Sequence, residues 1–222
     1  MRLAVLNGSP RGKRSNTDLL LAAFLSGFEG GAGHEHRLFH LVSCSERREA
    51  LEAFSSADAV LMAFPLYVDS MPAPVAEFVE GLAPRCGQPN NPGLMFLVQS
   101  GFPEACHSRP VERWAERLSR RLGSPYLGTV VKGGVEGIKG RPPWMSRPLL
   151  EGLRALGRGF GEKGSLDPGL VARLAGPERL GFAGRVLFTT VITPLVHSFW
   201  DAELRKNHAL SLRDARPYAL HD

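Results

Sequence analysis

The segment Asn7-Gly8-Ser9-Pro10-Arg11-Gly12-Lys13-Arg14-Ser15-Asn16-Thr17 gathers three hydroxyls (Ser9, Ser15, Thr17), one amide (Asn16) and a guanidinium (Arg11) within eleven residues. It follows a short apolar run and precedes Leu19–Phe24, so it joins a strand to a helix N-terminus. There, backbone N–H groups and the positive end of the helix dipole face any bound anion. A helix cap on Ser15 or Thr17 accounts for one hydroxyl; the surplus with Arg11 predicts a phosphate. The spacing differs from a Walker A loop, because three residues, not four, separate Gly8 from Gly12-Lys13. Arg14 also stands where Mg²⁺ coordination needs Ser or Thr. No GxGxxG follows the strand, so a dinucleotide fingerprint is absent here too.

Two further loops complete the chemistry. Pro65-Leu66-Tyr67-Val68-Asp69-Ser70-Met71-Pro72 is apolar and aromatic, which a phosphate does not need and a flat ring system does. A buried turn with Tyr67 in the core is the alternative for that loop alone. Gln99-Ser100-Gly101-Phe102-Pro103-Glu104 repeats the type: polar, glycine, aromatic. A phosphate pocket facing an aromatic-binding wall implies a mononucleotide with a large ring. A formal GxGxxG, Gly159-Phe160-Gly161-Glu162-Lys163-Gly164, has helical spacing before it and no helix after it, so it reads as a helix end and loop.

No side-chain nucleophile and no metal site are expected. The histidines are scattered, none lies in the first two loops, and His107 reads as a helix-start residue. Cys44, Cys86 and Cys106 are too far apart for a ligand cluster or a CxxC, and free thiols fit the cytoplasm.

The elements that must hold these loops alternate. Strands are expected at Arg2–Leu6, His36–Val42, Ala57–Phe64, Leu94–Val98 and Tyr126–Val131. Between them, helices are expected from Ser15-Asn16 onward, over Glu46–Phe54, Pro72–Leu82 and near Cys106–Leu122. Ala57–Phe64 is continuously apolar, as in a strand buried on both faces. This order predicts a doubly wound α/β sheet, whose ligands bind beyond the carboxyl ends of the strands. Residues 1–135 form the expected core domain. Residues 136–222 form an expected helical extension, with helices at Pro148–Phe160, Asp167–Leu174 and Phe182–Leu204 and an irregular tail from Asn207. It would pack on the core or at a dimer interface.

Composition narrows the classes. The 222 residues carry 27 Lys+Arg against 22 Asp+Glu, net +5, with 43% apolar residues, 25 Gly and 17 Pro. That excludes a disordered, collagenous or disulfide-scaffold chain. Basic clusters such as Arg47-Arg48 and Arg117/Arg120/Arg121 lack interleaved aromatics and sit beside glutamates, so they read as solvated helix faces and not as a nucleic-acid surface. The apolar run at Met1–Leu6 is too short for a signal peptide. Val186–Trp200 is interrupted by Pro194 and His197 and falls short of a membrane span. A cytoplasmic protein without membrane contact is expected.

Gly8-Ser-Pro-Arg-x-x-x-Ser15-Asn-Thr17, Pro65-Leu-Tyr-Val-Asp-Ser-Met-Pro-Ala-Pro74 and Ser100-Gly-Phe-Pro-Glu104 together resemble the NAD(P)H-dependent FMN reductase family of the flavodoxin-like fold. The stretch Phe199-Trp-Asp201…Leu204-Arg-Lys-Asn207…Pro217-Tyr218 is similar to tails in that family. The resemblance implies a five-stranded parallel sheet in the order 2-1-3-4-5 and bound FMN, with NAD(P)H as co-substrate. Ser9, Arg11, Ser15, Asn16 and Thr17 would hold the FMN phosphate. Pro65, Leu66, Tyr67 and Val68 would border the ring, with Ser100, Gly101 and Phe102 on its other rim. The compact cysteine motif of iron–sulfur relatives is absent, so FMN carries over and a cluster does not. The implied activity passes hydride from NAD(P)H through FMN to a quinone, flavin or other small acceptor, in a homodimer or homotetramer. A non-catalytic flavodoxin-like electron carrier and an FMN-binding regulatory module are the alternatives.

Overall fold

A computed structural model describes residues 1–31 and 33–216 of the chain. Two compact units divide it, Met1–Arg179 and Leu180–Asp222.

The first unit is built on five parallel strands, β1 (Arg2–Asn7), β2 (Glu35–His40), β3 (Ala59–Pro65), β4 (Gly93–Gln99) and β5 (Tyr126–Lys132), in the order β2-β1-β3-β4-β5. Leu3 pairs with His36 on one side and Ala59 on the other, and Leu97 lies between Ala63 and Val130. Between β4 and β5 the register slips by one residue at Leu94/Met95, so Leu127 has no partner and Gly128 adopts φ +119. A bulge of this kind needs a residue that tolerates the unusual backbone, which glycine supplies.

Helices α1 (Asn16–Phe28), α2 (Cys44–Phe54), α3 (Ala73–Gly81) and α4 (Pro110–Leu122) follow the first four strands, and α5 (Pro143–Lys163) and α6 (Pro168–Ala175) follow the fifth. The inner strands β1, β3 and β4 are buried and mainly apolar on both faces because both faces are covered, whereas β2, at the sheet edge, carries Glu35, His36 and Arg37. Leu3, Val5, Leu61 and Leu97 face a core shared with Leu20, Phe24 and Phe28 of α1 and Leu153, Leu156 and Phe160 of α5. Ala4, Leu6, Met62, Phe64 and Phe96 face Phe54 of α2, Phe78 of α3 and Leu122 of α4. Fully burying each such Phe or Leu stabilises the fold by about 1.5–3 kcal/mol.

Helices α1 and α5 cross at glycines. A Cβ on Gly27 would lie 1.9 Å from the Arg154 carbonyl oxygen, and one on Gly157 would lie 2.0 Å from that of Phe24. α5 begins at Pro143, a turn before the expected Pro148, which lies inside the helix. Gly159 and Gly161 are within α5, and Gly164 caps it at φ +68, so the late GxGxxG is a helix end.

The second unit contains one continuous helical stretch: α7 (Phe182–Leu187), a π-helical turn (Phe188–Ile192) and α8 (Thr193–Lys206). Pro194 follows directly on the π-helical turn, and within this continuous stretch its missing N–H removes one bond of the helical ladder. The 25-residue helix Phe182–Lys206, of mean hydropathy 1.2, is long and apolar enough to cross a membrane by length and composition. None of its residues is buried within the unit, and Phe182, Leu195, Phe199 and Trp200 are all exposed. Pro217 and Tyr218 of the tail lie outside the described residues.

Candidate functional site

The order β2-β1-β3 means that the chain leaves β1 in opposite directions to reach its two neighbours, and the crevice opens between β1 and β3. At their carboxyl ends lies a cavity of about 140 Å³ lined by Ser9, Arg11, Asn16, Pro65, Leu66, Tyr67, Gln99, Ser100, Gly101 and Glu136. The three loops singled out in the sequence therefore meet in one place.

The first loop is tied down from beneath. Asn7 is fully buried, and its Oδ1 accepts the Ser9 N–H at 3.0 Å. Its Nδ2 donates to Ser15 Oγ at 3.3 Å and to Asp18 Oδ1 at 3.1 Å. Ser15 Oγ also accepts the Asp18 N–H at 3.0 Å, so Ser15 is the N-cap of α1. Gly8 donates its N–H to the Ala63 carbonyl at 2.7 Å, and a Cβ on it would lie 2.2 Å from Val75 Cγ2. Gly12 turns at φ +52. Asn16 Nδ2 donates to the Val135 carbonyl and Lys139 Nζ to the Arg14 carbonyl, fastening the loop to the chain after β5. The Thr17 hydroxyl is buried without a hydrogen-bond partner, a donor that this loop's own contacts leave over.

Behind the loop stands a polar cluster of His40, Asp18 and Glu46 that the motifs do not indicate. His40, the last residue of β2, is buried, with Nε2 2.9 Å from Asp18 Oδ1 and Nδ1 3.2 Å from Glu46 Oε2. Its backbone N–H donates to the same Glu46 oxygen at 2.7 Å. Burial alone would raise the Glu46 pKa. The hydrogen bonds from His40, together with the charges of His40 and more distant Lys13, outweigh that and hold the carboxyl below its usual range. Histidine at a strand's carboxyl end, six residues before an acid in the first turn of the next helix, is the available signal.

The opposite wall is different. Leu66 donates its N–H to the Gln99 carbonyl at 2.9 Å, joining the second loop to β4. Tyr67 and Ser70 exchange backbone hydrogen bonds at 2.9 and 3.0 Å around Val68 and Asp69, which adopt φ +49 and +59. Two left-handed residues make a tight hairpin turn, and a β-branched residue there is strained. Val68 is 100% exposed and Tyr67 44% exposed. In the third loop, Ser100 Oγ accepts from Ser108 Oγ at 3.2 Å and donates to the Phe102 carbonyl at 3.5 Å. Phe102 is 56% exposed, with its ring centroid 5.0 Å from that of His107. His107 also meets Glu104 at 3.1 Å, and Cys106 stands beside the pair.

Ser9, Arg11, Asn16, Pro65, Leu66, Tyr67, Ser100 and Gly101 thus line one cavity. Ser15 supports the loop as a cap, Thr17 is enclosed beside it, and Val68 and Phe102 stand outside the lining. Gln99, the first residue of the third loop, also lines it, and Glu136 joins the lining from outside the three loops. Glu136 lies 3.7 Å from Arg11, both side chains being more than half exposed, so Arg11 has an acidic neighbour that any anion must share it with.

Residues 1–83 match the family model described as a flavodoxin-like fold. The five-stranded sheet of the first unit and its helices have the flavodoxin-like fold. Among solved structures it is similar to an NAD(P)H:quinone oxidoreductase from Methanothermobacter marburgensis, at 19% identity and TM-score 0.55, over 72% of this chain and 96% of that one. It is also similar to an FMN-dependent NADH-azoreductase from Bacillus anthracis str. Ames Ancestor in complex with FMN, at 10% identity and TM-score 0.55, over 72% and 100%. A third is the apo form of an NADH:FMN oxidoreductase, at 15% identity and TM-score 0.55, over 82% and 97%. At these identities the likeness shows the fold. No curated protein matches the chain by sequence.

Within this fold, the first loop offers hydroxyls, amide groups and a helix N-terminus to an anion, and the other two offer apolar and aromatic surface. Such a lining suits binding and orientation of a group that carries its own reactivity.

Proposed function

We propose that the chain is an FMN-dependent oxidoreductase that uses NAD(P)H to reduce a quinone, a flavin or another small acceptor. The observation that carries this reading is the convergence of the Ser9–Thr17 loop with Pro65–Tyr67 and Ser100–Gly101 on one crevice at the switch point of the sheet. The orphaned Thr17 hydroxyl and the glycine at Gly8, which brings backbone close to the crevice, fit a phosphate there. The named function of the FMN-dependent azoreductase and the quinone oxidoreductase agrees with the reading.

Ser9, Arg11, Asn16 and the N–H groups at the start of α1 would bind the phosphate, with Ser15 and Thr17 shaping and completing the loop. Pro65, Leu66, Tyr67, Val68, Ser100, Gly101 and Phe102 would border the ring. The 140 Å³ cavity is smaller than the roughly 300–1,000 Å³ of a site that encloses a drug-sized ligand. Part of the cofactor would therefore lie against the exposed rim, open to a second molecule. Bound FMN would supply the hydride transfer; NAD(P)H is oxidised by two electrons and the acceptor takes them up. The chain's own part is to orient the donor and acceptor on the side of Tyr67 and Phe102.

Residues 1–135 would be the FMN-binding domain and 136–222 an extension that covers the core or joins subunits. A homodimer or homotetramer would cover the exposed apolar side chains of Phe182–Lys206, and the three free cysteines fit a cytoplasmic setting; the reading includes neither membrane nor nucleic-acid contact. Steady NAD(P)H oxidation in the presence of a quinone tests the activity. A flavin spectrum without turnover would instead favour an electron carrier or a regulatory module.

A further inference from the structure

A second, larger cavity of about 570 Å³ lies beyond the carboxyl end of β5, between the β5–α5 connection and helices α5 and α6. Three cations line it: Lys132, the last residue of β5, Arg141 and Arg173. No aspartate or glutamate does. Its remaining wall is largely apolar, including Ile138, Leu149 and Leu174.

Arg11, the cation of the cleft described above, faces Glu136. Among the described residues, Lys132, Arg141 and Arg173 form no ion pair. Arg141 Nη2 donates to the Gly134 and Glu136 carbonyls at 2.7 and 2.6 Å, which fixes its charge in the cavity wall. Burial, with the neighbouring Arg141 charge adding to it, pulls the Lys132 ammonium below the usual lysine range. Gathering like charges in a concave, partly desolvated place is unfavourable until an anion enters, and such a place concentrates anions from solution.

The cavity is separate from the cleft described above, with which it shares no lining residue. Two plies of backbone stand between them: Ser100 N–H donates to Lys132, Gly134 N–H to Phe102 and Val135 N–H to Ser100, at 2.9, 2.7 and 2.9 Å. Gly133 permits that contact, since a Cβ there would lie 2.3 Å from the Phe102 carbonyl oxygen.

We propose that this cavity binds a small organic anion, a phosphate monoester or carboxylate on an apolar body, with Lys132 and Arg173 meeting the charge and Leu149 and Leu174 the body. A volume of 570 Å³ falls in the range of about 300–1,000 Å³ that holds drug-sized molecules and exceeds what a bare inorganic ion fills. The apolar wall gives such an ion nothing further to contact. The proposal stands independently of FMN binding in the cleft.

The test is a calorimetric titration of the full chain, with FMN in excess, using naphthyl phosphate, naphthoate, naphthol and inorganic phosphate. The two aryl anions should bind about tenfold or more tightly than naphthol or inorganic phosphate, the better of them showing which head group the site prefers. Their affinity should fall with added salt. Lys132→Met and Arg173→Gln should each weaken it about tenfold, while Arg11→Ala, across the backbone wall, should leave it unchanged. Equal binding of naphthol would overturn the proposal, as would loss of binding in Arg11→Ala with retention in Lys132→Met. Circular dichroism of each variant distinguishes a lost contact from a lost fold.

Discussion

The two walls of the cleft at the carboxyl end of the sheet are built on opposite plans. On the β1 side, every turn of the Asn7–Thr17 loop is fixed from below. Asn7 bonds Ser9, Ser15 and Asp18, Ser15 caps α1, and His40 braces Asp18 against Glu46. On the β3–β4 side, Tyr67, Val68 and Phe102 stand out into solvent on a strained hairpin turn and a short loop. A rigid wall loses little entropy when it binds and suits one invariant group, whereas an exposed aromatic wall suits molecules that differ from turnover to turnover. In the proposed reading the first holds the cofactor phosphate and the second meets the ring and the acceptor. The difference also explains why the strain sits where it does. Val68 at φ +49 costs about 1–3 kcal/mol, tolerated because it displays the loop beside the cleft.

The largest effect that can break this division is expected on the rigid wall. Arg11→Ala with Ser15→Ala should lower FMN affinity by about 1.5–3 kcal/mol for each charge-assisted bond removed, measured by fluorescence titration of the flavin. Part of the Ser15 loss would be the cap itself, about 0.5–2 kcal/mol of stability, so urea unfolding of the single variants separates the two. Unchanged affinity would move the phosphate to another place.

A smaller effect is expected on the open wall. Phe102→Ala should raise KM for the acceptor, with an aromatic contact contributing about 0.5–1.5 kcal/mol, and lower FMN affinity by less than the Arg11 variant does. If FMN affinity fell as far as in the Arg11 variant, the two walls would not divide their work as argued.

The smallest effect concerns the brace behind the loop. The Glu46 carboxyl titrates below its ordinary value of 4.5 in the folded chain. The folded state therefore binds that proton less readily than the unfolded chain. The associated stability is present in full above about pH 4.5 and is lost as pH falls through the folded value. Glu46→Gln should flatten that acid limb in urea unfolding curves measured between neutral and acidic pH. An identical acid limb would show that the His40 contact does not favour the ionised carboxylate.

Much of this organisation can be read from the chain itself, for physical reasons. The unbroken apolar runs of β3 and β4 reflect burial on both faces, and the loop after β1 advertises its chemistry through types and spacing within eleven residues. What escapes such reading is distance along the chain and direction in space. Glu136 reaches Arg11 from 125 residues away, and His40 braces Asp18 from 22. Val68 sits in a loop of the right composition, yet its left-handed backbone turns the side chain to solvent. Pro148 looked like a helix start, but Pro143 takes that position and the longer helix accommodates a proline about one turn inside it. The π-helical turn at Phe188–Ile192 leaves no composition signal of its own, and the sequence reading treated the whole stretch as one helix.

In the proposed function the cleft holds a flavin mononucleotide that NAD(P)H can reduce. This is tested most directly by an absorbance spectrum of the purified chain, with FMN added if needed, followed by anaerobic titration with NADPH and NADH. The account predicts a yellow protein that releases FMN on denaturation and whose flavin bands bleach stoichiometrically with one of the two nucleotides. A colourless preparation that takes up no added FMN would contradict it.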